Sequence, residues 1–316
     1  MANKTTAYDV ITDRIIRKME EGIIPWVKPW KVSGAVVDGG LNKTLAYSYS
    51  TGKPYNFINQ FLLDYEPGEY ATFNQIKKAG GHVKKGSKGQ IVAGWIVDEK
   101  VKVVKDENGD PVLDENGDPK TVKERHFGVK YDTVFNVLTQ VEGLNPKHNW
   151  TTEAPVEDSD DSGNQPDQAA EDIVQRYINS SNAPVLQIVK GSDRAYYRPS
   201  EDKVVVPHMT QYESISEYYS TMFHELTHST GIASRLNRKV DGHAAFGSGD
   251  YSREELVAEI GACFLCDSCG LSTENSFRNS VAYLQSWIAA LKKDSKMIVF
   301  ASAQAEKATE YILNAN

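Results

Sequence analysis

The sequence predicts an α+β protein of two domains, and three observations support this prediction. The chain has 316 residues, which is more than one average domain. Residues 145–170 are poor in aliphatic side chains and rich in Asp, Ser, Gly and Pro, a composition typical of flexible linkers. In the second half, strand patterns come first and helix patterns follow, which favours α+β over alternating α/β topology. We therefore predict domains at 1–144 and 171–316, joined by a flexible acidic linker at 145–170.

Composition argues against a membrane or secreted protein, and the charge distribution indicates which half would bind a polyanion. No apolar run approaches the roughly 18 residues needed to cross a bilayer, and the N-terminus lacks the apolar core of a signal peptide. We therefore expect a cytoplasmic protein with no membrane partner. The formal charge is −8, yet residues 1–145 hold 20 Lys and Arg against 19 Asp and Glu. Without the acidic stretch 98–120 this half holds 16 against 11, so any polyanion should bind there.

The first half is predicted to begin with a helix at 8–21, because its apolar residues recur every three to five positions. Pro25 and Pro29 then hold Trp26 and Trp30 on an extended segment. A turn at 52–54 and short helices in YNFINQFLL and TFNQIKKAG are predicted next. GHVKKGSKGQIVAGWIV is predicted to form two strands joined by a glycine turn, and YDTVFNVLTQVEGL is predicted to form the closing strand.

An acidic insert at 98–125 contains the hexapeptide DENGDP twice. Asn-Gly between β-prone runs is a strong signal for a tight turn, so we predict a protruding β-hairpin. A calcium loop is the alternative, but the sequence lacks the D-x-[DN]-x-[DN]-G pattern with a distal Glu.

The second domain is predicted to begin with a helix in EDIVQRYIN. Strands follow in PVLQIV and in AYYRP and KVVVP, the last two joined by SED. Helical periodicity then marks 216–230, 252–269 and 280–314, the last broken near Asp294. The second of these helices carries three cysteines. Because the chain has no fourth cysteine, we predict core packing rather than an iron–sulfur site for Cys263, Cys266 and Cys269.

The nonapeptide FHELTHSTG at 223–231 suggests a metal site. His224 and His228 are four apart and share one helix face, so both imidazoles can reach one ion about 2 Å away. Glu225 is rotated by one residue and can contact a water molecule on that ion. This pattern is typical of zinc hydrolases, in which the glutamate accepts a proton from attacking water. A surface helix with satisfied polar side chains is the alternative that the motif alone leaves open.

A catalytic zinc ion needs a third protein ligand. Ser234 occupies the position where the metzincin pattern requires a histidine, so that class is excluded. The segment EELVAEIGACF places Glu255 and Glu259 four apart on the next predicted helix, which fits a gluzincin better. It is similar to the ligand helix of thermolysin-like enzymes. This resemblance implies that Glu255 is the ligand and that Glu259 orients a ligand histidine.

Other assignments remain open. Glu259, Glu254 or His243 could supply the third ligand instead of Glu255. Ser252 and Glu255 also have the spacing of a capping box, in which Glu255 would close the start of a helix. Mn²⁺ is the alternative to Zn²⁺ at such a site.

Aromatic residues and lysines are interleaved in the first half. Aromatic rings stack on unpaired bases while lysines contact phosphates in proteins that bind single strands without sequence preference. The loop KKGSKG is a candidate for phosphate contacts. The candidate DNA-binding residues are Trp26, Trp30, Lys53, Tyr55, Lys84, Lys85 and Lys88. Core aromatics beside a solvated basic face are the simpler interpretation.

The order of motifs along nearly the whole chain resembles one known family. PWVKPW, TGKPYNFIN, TFNQIKKAGGHVKKGSKG and VFNVLTQVEGL are similar to the N-terminal single-stranded-DNA-binding domain of the ArdC-like antirestriction proteins of plasmids and phages. YYRPSEDKVVVP, FHELTHSTG, SRLNR, EELVAEIGACFLC and SWIAALKKD are similar to the zincin-like metallopeptidase domain of that family. The DENGDP insert and the Asp-rich linker lie outside the shared motifs.

This resemblance implies an N-terminal α+β domain that binds single-stranded DNA and a C-terminal zincin-like, gluzincin-type metallopeptidase domain. It implies protection of incoming DNA from host restriction, with zinc held by His224, His228 and Glu255. A protein of the host restriction system is the candidate peptide substrate. Two alternatives remain. One is a dedicated zinc metallopeptidase whose N-terminal half binds protein, and the other is a binding protein with a catalytically silent zincin domain.

Overall fold

The computed structural model describes residues 5–21, 23–26, 35–37, 46–107, 109–152, 165–192, 194–238, 249–271 and 280–316. These residues form an α+β fold, as the sequence predicts. The helices in them are α1 (Ala7–Glu20), α2 (Phe57–Leu62), α3 (Phe73–Lys78), α4 (Val137–Gln140), α5 (Gln168–Ile178), α6 (Ile215–Ser229), α7 (Gly249–Cys269), α8 (Ser280–Lys293) and α9 (Met297–Leu313). The strands are β1 (Ala35–Val37), β2 (Ala46–Ser48), β3 (Gly68–Thr72), β4 (His82–Val83), β5 (Gln90–Val103), β6 (Thr121–Asn136), β7 (Val141–Glu142), β8 (Trp150–Thr152), β9 (Val185–Val189), β10 (Tyr196–Arg198) and β11 (Lys203–Pro207). None of these helices has both the length and the apolar character needed to cross a bilayer.

A four-stranded sheet in the order β2-β3-β6-β5 forms the centre of the N-terminal half. Strands β5 and β6 form a long antiparallel hairpin, whereas β2 lies parallel to β3 at the opposite edge. Helix α1 begins at a capping box, in which Thr6 and Asp9 each accept a hydrogen bond from the other's backbone N–H. Ile11, Ile15 and Met19 of its predicted apolar face are buried, so this helix is confirmed.

The strand, turn and strand predicted in GHVKKGSKGQIVAGWIV are present, but the two strands do not pair with each other. β4 pairs with β7, aligning His82 with Glu142, whereas β5 pairs with β6. The predicted short helices α2 and α3 are confirmed. Their N-caps, Asn56 and Thr72, each accept a hydrogen bond from the backbone N–H three residues later.

The acidic insert at 98–125 forms the outer part of the β5–β6 hairpin, as predicted. At its tip, Val104, Val112 and Lys120 form a closed ring of backbone hydrogen bonds. Asp106 and Asp114 each accept from a backbone N–H four residues later, and so stabilise their own turns. Among the described residues, the one group of His, Cys, Asp and Glu side chains placed to hold a metal lies elsewhere.

The predicted linker at 145–170 is wrong at both of its ends. Strand β8 lies inside this range and pairs antiparallel with β1 of the N-terminal half. The backbone N–H groups of Lys147 and His148 donate to the buried carboxylate of Glu69, which requires such donors to remain charged. Helix α5 covers the last three residues of the range. Residues 153–164 lie outside the described part of the chain.

The C-terminal half contains the predicted strands and helices in the predicted order. β10 and β11 form a hairpin, and β11 also pairs in parallel with β9, so the sheet order is β10-β11-β9. Helices α6 and α7 agree with the predicted ranges to within three residues, and the predicted break at Asp294 separates α8 from α9. Cys263 and Cys266 are buried on α7, which confirms their predicted packing role.

The two halves share one hydrophobic core. Helices α1 and α2, together with Trp26, pack against α7, α8 and α9. The ring of Trp26 lies 5.3 Å from that of Trp287, and Phe57 stacks on Phe264. A large apolar interface of this kind restricts the motion of two domains relative to each other. A second core lies between α5, α6, α7 and the three-stranded sheet.

Candidate metal centre

Helices α6 and α7 bring together three side chains that could hold a metal ion. His224 and His228 lie one turn apart on the same face of α6, and their Nε2 atoms are 3.1 Å apart. The Glu255 carboxylate of α7 lies 3.7 Å from Nε2 of His224 and 3.5 Å from Nε2 of His228. One donor atom from each of the three residues lies within 4.8 Å of the others. The structure thus places the three predicted ligands around one point.

The position of α7 explains how Glu255 reaches the histidines. This helix begins at Gly249, so Glu255 lies in its second turn and cannot close the helix start. The capping-box alternative with Ser252 is therefore removed. Further along α7, a Cβ on Gly261 would lie only 2.7 Å from Cγ2 of Thr227. Since Thr227 lies between the two histidines on α6, this close approach sets the distance at which Glu255 faces them.

A different carboxylate lies behind each imidazole. Glu259 Oε1 lies 3.8 Å from Nδ1 of His224, which is one of the two pairings predicted for this residue. Glu254 Oε1 lies 3.4 Å from Nδ1 of His228. Carboxylates commonly orient metal-binding histidines in this way, and here both leave Nε2 facing Glu255. Sequence reasoning considered Glu254 only as an alternative ligand, whereas its position is that of an orienting residue.

Arg238 holds Glu254 in place. Its guanidinium donates to both carboxylate oxygens of Glu254, at 2.8 and 3.1 Å. It also donates to the Thr230 hydroxyl and to the Thr227 carbonyl at the end of α6. The guanidinium therefore links the C-terminus of the histidine-bearing helix to the carboxylate behind His228.

Arg235 ties the end of the same helix to the sheet. It donates to both carboxylate oxygens of Asp202, between β10 and β11, at 2.8 and 2.6 Å, and to the Ser229 carbonyl at 2.7 Å. Sequence reasoning used SRLNR only as a family motif and assigned its arginines no role. Their place directly after the metal-binding helix could have identified them, because cations there can bind the terminal carbonyl groups.

The carboxylates make the site attractive to a cation. Burial opposes a charge on His224, yet Glu255, Glu259 and Glu225 raise its pKa to about 9. Burial likewise opposes ionisation of Glu255, but the two ligand histidines lower the pKa of its carboxyl. Burial dominates at Glu259 and raises its pKa. Because metal ligands must be deprotonated, a divalent ion and protons compete for this site.

Glu225 lies beside the cluster rather than within it. It follows His224 on α6 and is 8% exposed. Its negative charge is among the causes that raise the pKa of His224. A buried carboxylate next to an open metal position can accept a proton from water, which is the role predicted for Glu225.

Comparisons with known proteins relate this geometry to a family. The sequence matches the family models for the N-terminal domain of anti-restriction factor ArdC, at residues 5–135, and for a zincin-like metallopeptidase, at residues 173–304. The structure is similar to the metal-free crystal structure of the antirestriction protein ArdC from plasmid R388. The TM-score is 0.67, with 30% identity and 96% of each chain covered. The chain belongs to the ArdC family.

This ArdC-family chain is similar to two further known proteins or structures. The Mn(II)-bound crystal structure of ArdC from plasmid R388 is similar at a TM-score of 0.66 and 29% identity, over 98% of this chain and 97% of that chain. DNA primase TraC of Escherichia coli is 33% identical over 326 residues, which is 99% of this chain and 20% of TraC. The ArdC-family chain thus spans about a fifth of the length of this curated relative.

The donor set of the ArdC-family site fits a divalent transition metal. Two imidazoles and one carboxylate leave a coordination position for water, as in catalytic zinc sites. Nitrogen and carboxylate donors also suit manganese. The chemistry of the donors therefore fits the zincin class and does not by itself select one metal. His243, another candidate ligand, lies outside the described residues.

The predicted DNA-binding residues lie in different environments. Trp26 is 1% exposed and packs against Trp287, so its ring cannot stack on a base and this prediction is wrong. The large apolar area of the ring is buried in the core that joins the two halves. Tyr55 is half-buried, which raises its pKa to about 12, and Trp30 lies outside the described residues. The exposed candidates are Lys53, Lys84, Lys85 and Lys88.

Proposed function

We propose that this chain is an antirestriction protein of a plasmid, phage or other mobile element and acts in the cytoplasm. Its N-terminal half binds single-stranded DNA, and its C-terminal half is a metal-dependent peptidase domain. The observation that supports this most strongly is the likeness to ArdC from plasmid R388 over 96% of each chain. This likeness covers both halves in one arrangement. It therefore supports the proposal more strongly than two separate domain matches would.

In the proposed reaction, His224, His228 and Glu255 hold one divalent ion, Zn²⁺ or Mn²⁺. When bound, such an ion supplies Lewis acidity to the reaction. Glu225, buried beside the cluster, accepts a proton from the attacking water and returns it to the leaving amine. A protein of the host restriction system is the proposed peptide substrate.

Protection of incoming DNA in a restricting host tests this function. The host receives unmodified DNA together with the wild-type protein, Glu225→Gln or the double variant His224→Ala/His228→Ala. We expect the wild type to increase recovery of that DNA, Glu225→Gln to keep metal but lose hydrolysis, and the double variant to bind no metal. Full protection by Glu225→Gln would favour a catalytically silent zincin domain. A wild-type protein that gives no protection would contradict the proposed function.

Binding of a fluorescent single-stranded oligonucleotide tests the N-terminal half. Its affinity for the full chain should fall as salt rises, because lysines that neutralise phosphates release counterions. Absence of binding at low salt would favour the other alternative, a dedicated peptidase whose N-terminal half binds protein.

A further inference from the structure

Three aromatic rings form a cluster at the edge of the N-terminal sheet. Tyr47 lies on the edge strand β2, and its ring centroid is 4.7 Å from that of His148 and 6.0 Å from that of Trp150. All three side chains are half-buried, in contrast to Trp26, which is inside the core. The rings therefore pack on one another and still present part of their surface to solvent.

Two lysines lie on the segments that carry or adjoin these rings. Nζ of Lys147 lies 4.7 Å from the ring centroid of Tyr49, the next aromatic residue along the chain from Tyr47. Lys53 lies beside the same strand, because its carbonyl accepts a hydrogen bond from the Ser48 N–H. Both lysines are exposed. We refer to the surface formed by these six residues as the aromatic patch, and its members are Tyr47, Tyr49, Lys53, Lys147, His148 and Trp150.

Glu69 fixes the patch from below. Its carboxylate, fully buried on β3, accepts hydrogen bonds from the backbone N–H groups of Lys147 and His148, and from Nε1 of Trp150. Nδ1 of His148 lies 2.9 Å from the same carboxylate. Burial opposes this charge, but the four donors lower the pKa of the Glu69 carboxyl below its ordinary value. The rings are thus held in place before any ligand binds.

The exposed apolar surface on the β5–β6 hairpin suits a polyanion less well. Trp95 and Val97 on the β5–β6 hairpin are exposed. The adjoining stretch 98–120, however, holds 4 basic against 8 acidic residues. A DNA strand would meet repulsion there, whereas the aromatic patch includes the exposed Lys53 and Lys147.

We propose that the aromatic patch is the surface on which single-stranded DNA binds, with bases stacking on Tyr47 and Trp150 and with Lys53 and Lys147 contacting phosphates. Unpaired bases expose the faces that such rings stack on, whereas the bases of a duplex are already stacked on one another. This inference rests on the proposed function, and it replaces the buried Trp26 with a different set of aromatic contacts.

Equilibrium binding of the full chain to a fluorescent oligonucleotide, measured by anisotropy over a salt series, tests the patch. Tyr47→Leu keeps an apolar side chain but loses the ring, and should weaken binding about 5-fold to 150-fold, the range found for loss of one stacking contact. Lys53→Gln/Lys147→Gln should reduce the slope of log affinity against log salt by about 1.4, as expected for two lost phosphate contacts on a single strand.

Two matched variants make the result specific. Lys102→Gln/Lys123→Gln changes the net charge equally at exposed positions of the hairpin and should leave the slope unchanged. Lys84→Gln/Lys85→Gln tests the rival loop. Lys53 and Lys147 are exposed, so their double variant should still fold. It therefore tests the aromatic patch even if Tyr47→Leu does not fold. Wild-type binding by patch variants, with loss in the loop variant, would overturn this inference and leave the proposed function standing. Absence of binding by the wild type would instead contradict the proposed function itself.

Discussion

A different carboxylate faces Nδ1 of each of the two predicted ligand histidines. His224 faces Glu259, which lies one turn after Glu255 on the same helix. His228 faces Glu254, and that carboxylate is itself held by Arg238, 16 residues earlier in the chain. The resemblance to thermolysin-like enzymes implied that Glu259 orients one of the two histidines, and the structure places it at His224. The arrangement at His228 depends on a loop that returns to the helix, so the sequence did not reveal it.

Loss of Arg238 should weaken metal binding. Arg238→Met leaves the carboxylate of Glu254 buried without its guanidinium partner, so His228 loses its fixed orientation. We expect affinity for Mn²⁺ or Zn²⁺ to fall about 10-fold to 100-fold, the usual cost of losing such an orienting contact. Isothermal titration with each metal measures this. Arg253→Met, which removes an exposed arginine of α7 next to Glu254, is the control. Equal affinities for wild type and Arg238→Met would show that the guanidinium does not position the site.

Glu306 lies where the two halves meet, and it should make the free energy of unfolding depend on pH. Burial and the nearby Glu310 raise the pKa of this carboxyl on α9 from 4.5 to about 7, although the Phe57 N–H donates to it. The folded state therefore binds more protons than the unfolded state between these values, so stability falls as pH rises from about 4.5 to about 7. Glu306→Gln should remove this loss and be more stable than the wild type at pH 8. Chemical denaturation at several pH values, with Glu107→Gln as a surface control, measures the difference. A wild-type advantage at pH 8 would contradict the assignment.

The candidate metal centre lies where α6 packs against α7. The first helix supplies both imidazoles and the second supplies Glu255 with its neighbours. Gly261 allows the two helices to approach at Thr227, whose hydroxyl donates to the Phe223 carbonyl within α6. The distance between these helices is therefore a property of the site as well as of the core.

A methyl group at position 261 should separate the helices. In Gly261→Ala the new Cβ would meet Thr227 at 2.7 and 2.8 Å, and overpacking of this kind costs about 1–3 kcal/mol. We expect a lower free energy of unfolding and weaker metal binding, because Glu255 moves away from the histidines. Thr227→Ala in the same chain removes the clash and should recover most of both losses. A double-mutant cycle on stability and metal affinity measures this coupling, and strictly additive effects would exclude it.

At the scale of the whole molecule, the halves do not behave as two bodies on a linker. Trp26 and Phe57 from the N-terminal half contact Trp287 and Phe264 from the C-terminal half inside one core. The metal centre and the aromatic patch are therefore carried on one framework. A ligand at either site stabilises the fold by mass action.

Unfolding should be a single cooperative transition for both halves. Trp287→Ala removes a buried ring from the shared core and should lower the free energy of unfolding by about 3–5 kcal/mol. Hydrogen exchange should then increase in α2 and in α6 together. Phe73→Ala removes an exposed aromatic side chain on α3 of the N-terminal half and serves as the control. Two separate transitions, or faster exchange confined to α8 and its neighbours, would show that the halves fold independently.

Features that depend on local spacing could be predicted from the residues alone. Helix periodicity placed α6, α7 and the break at Asp294, and the four-residue spacing placed His224 and His228 on one face. Asn-Gly turns located the hairpin insert. These features follow from residues within a few positions of each other, where backbone geometry fixes which side chains are neighbours.

Features that depend on residues far apart in the chain became visible only in the folded protein. The sequence could not show that Trp26 meets Trp287, since a ring on a proline-rich segment can face solvent or core with equal local geometry. It predicted a linker where the chain is poor in aliphatic residues, yet Glu69 binds that segment through Lys147, His148 and Trp150. A buried carboxylate is stable only with several donors, and these donors come from about 80 residues further along the chain.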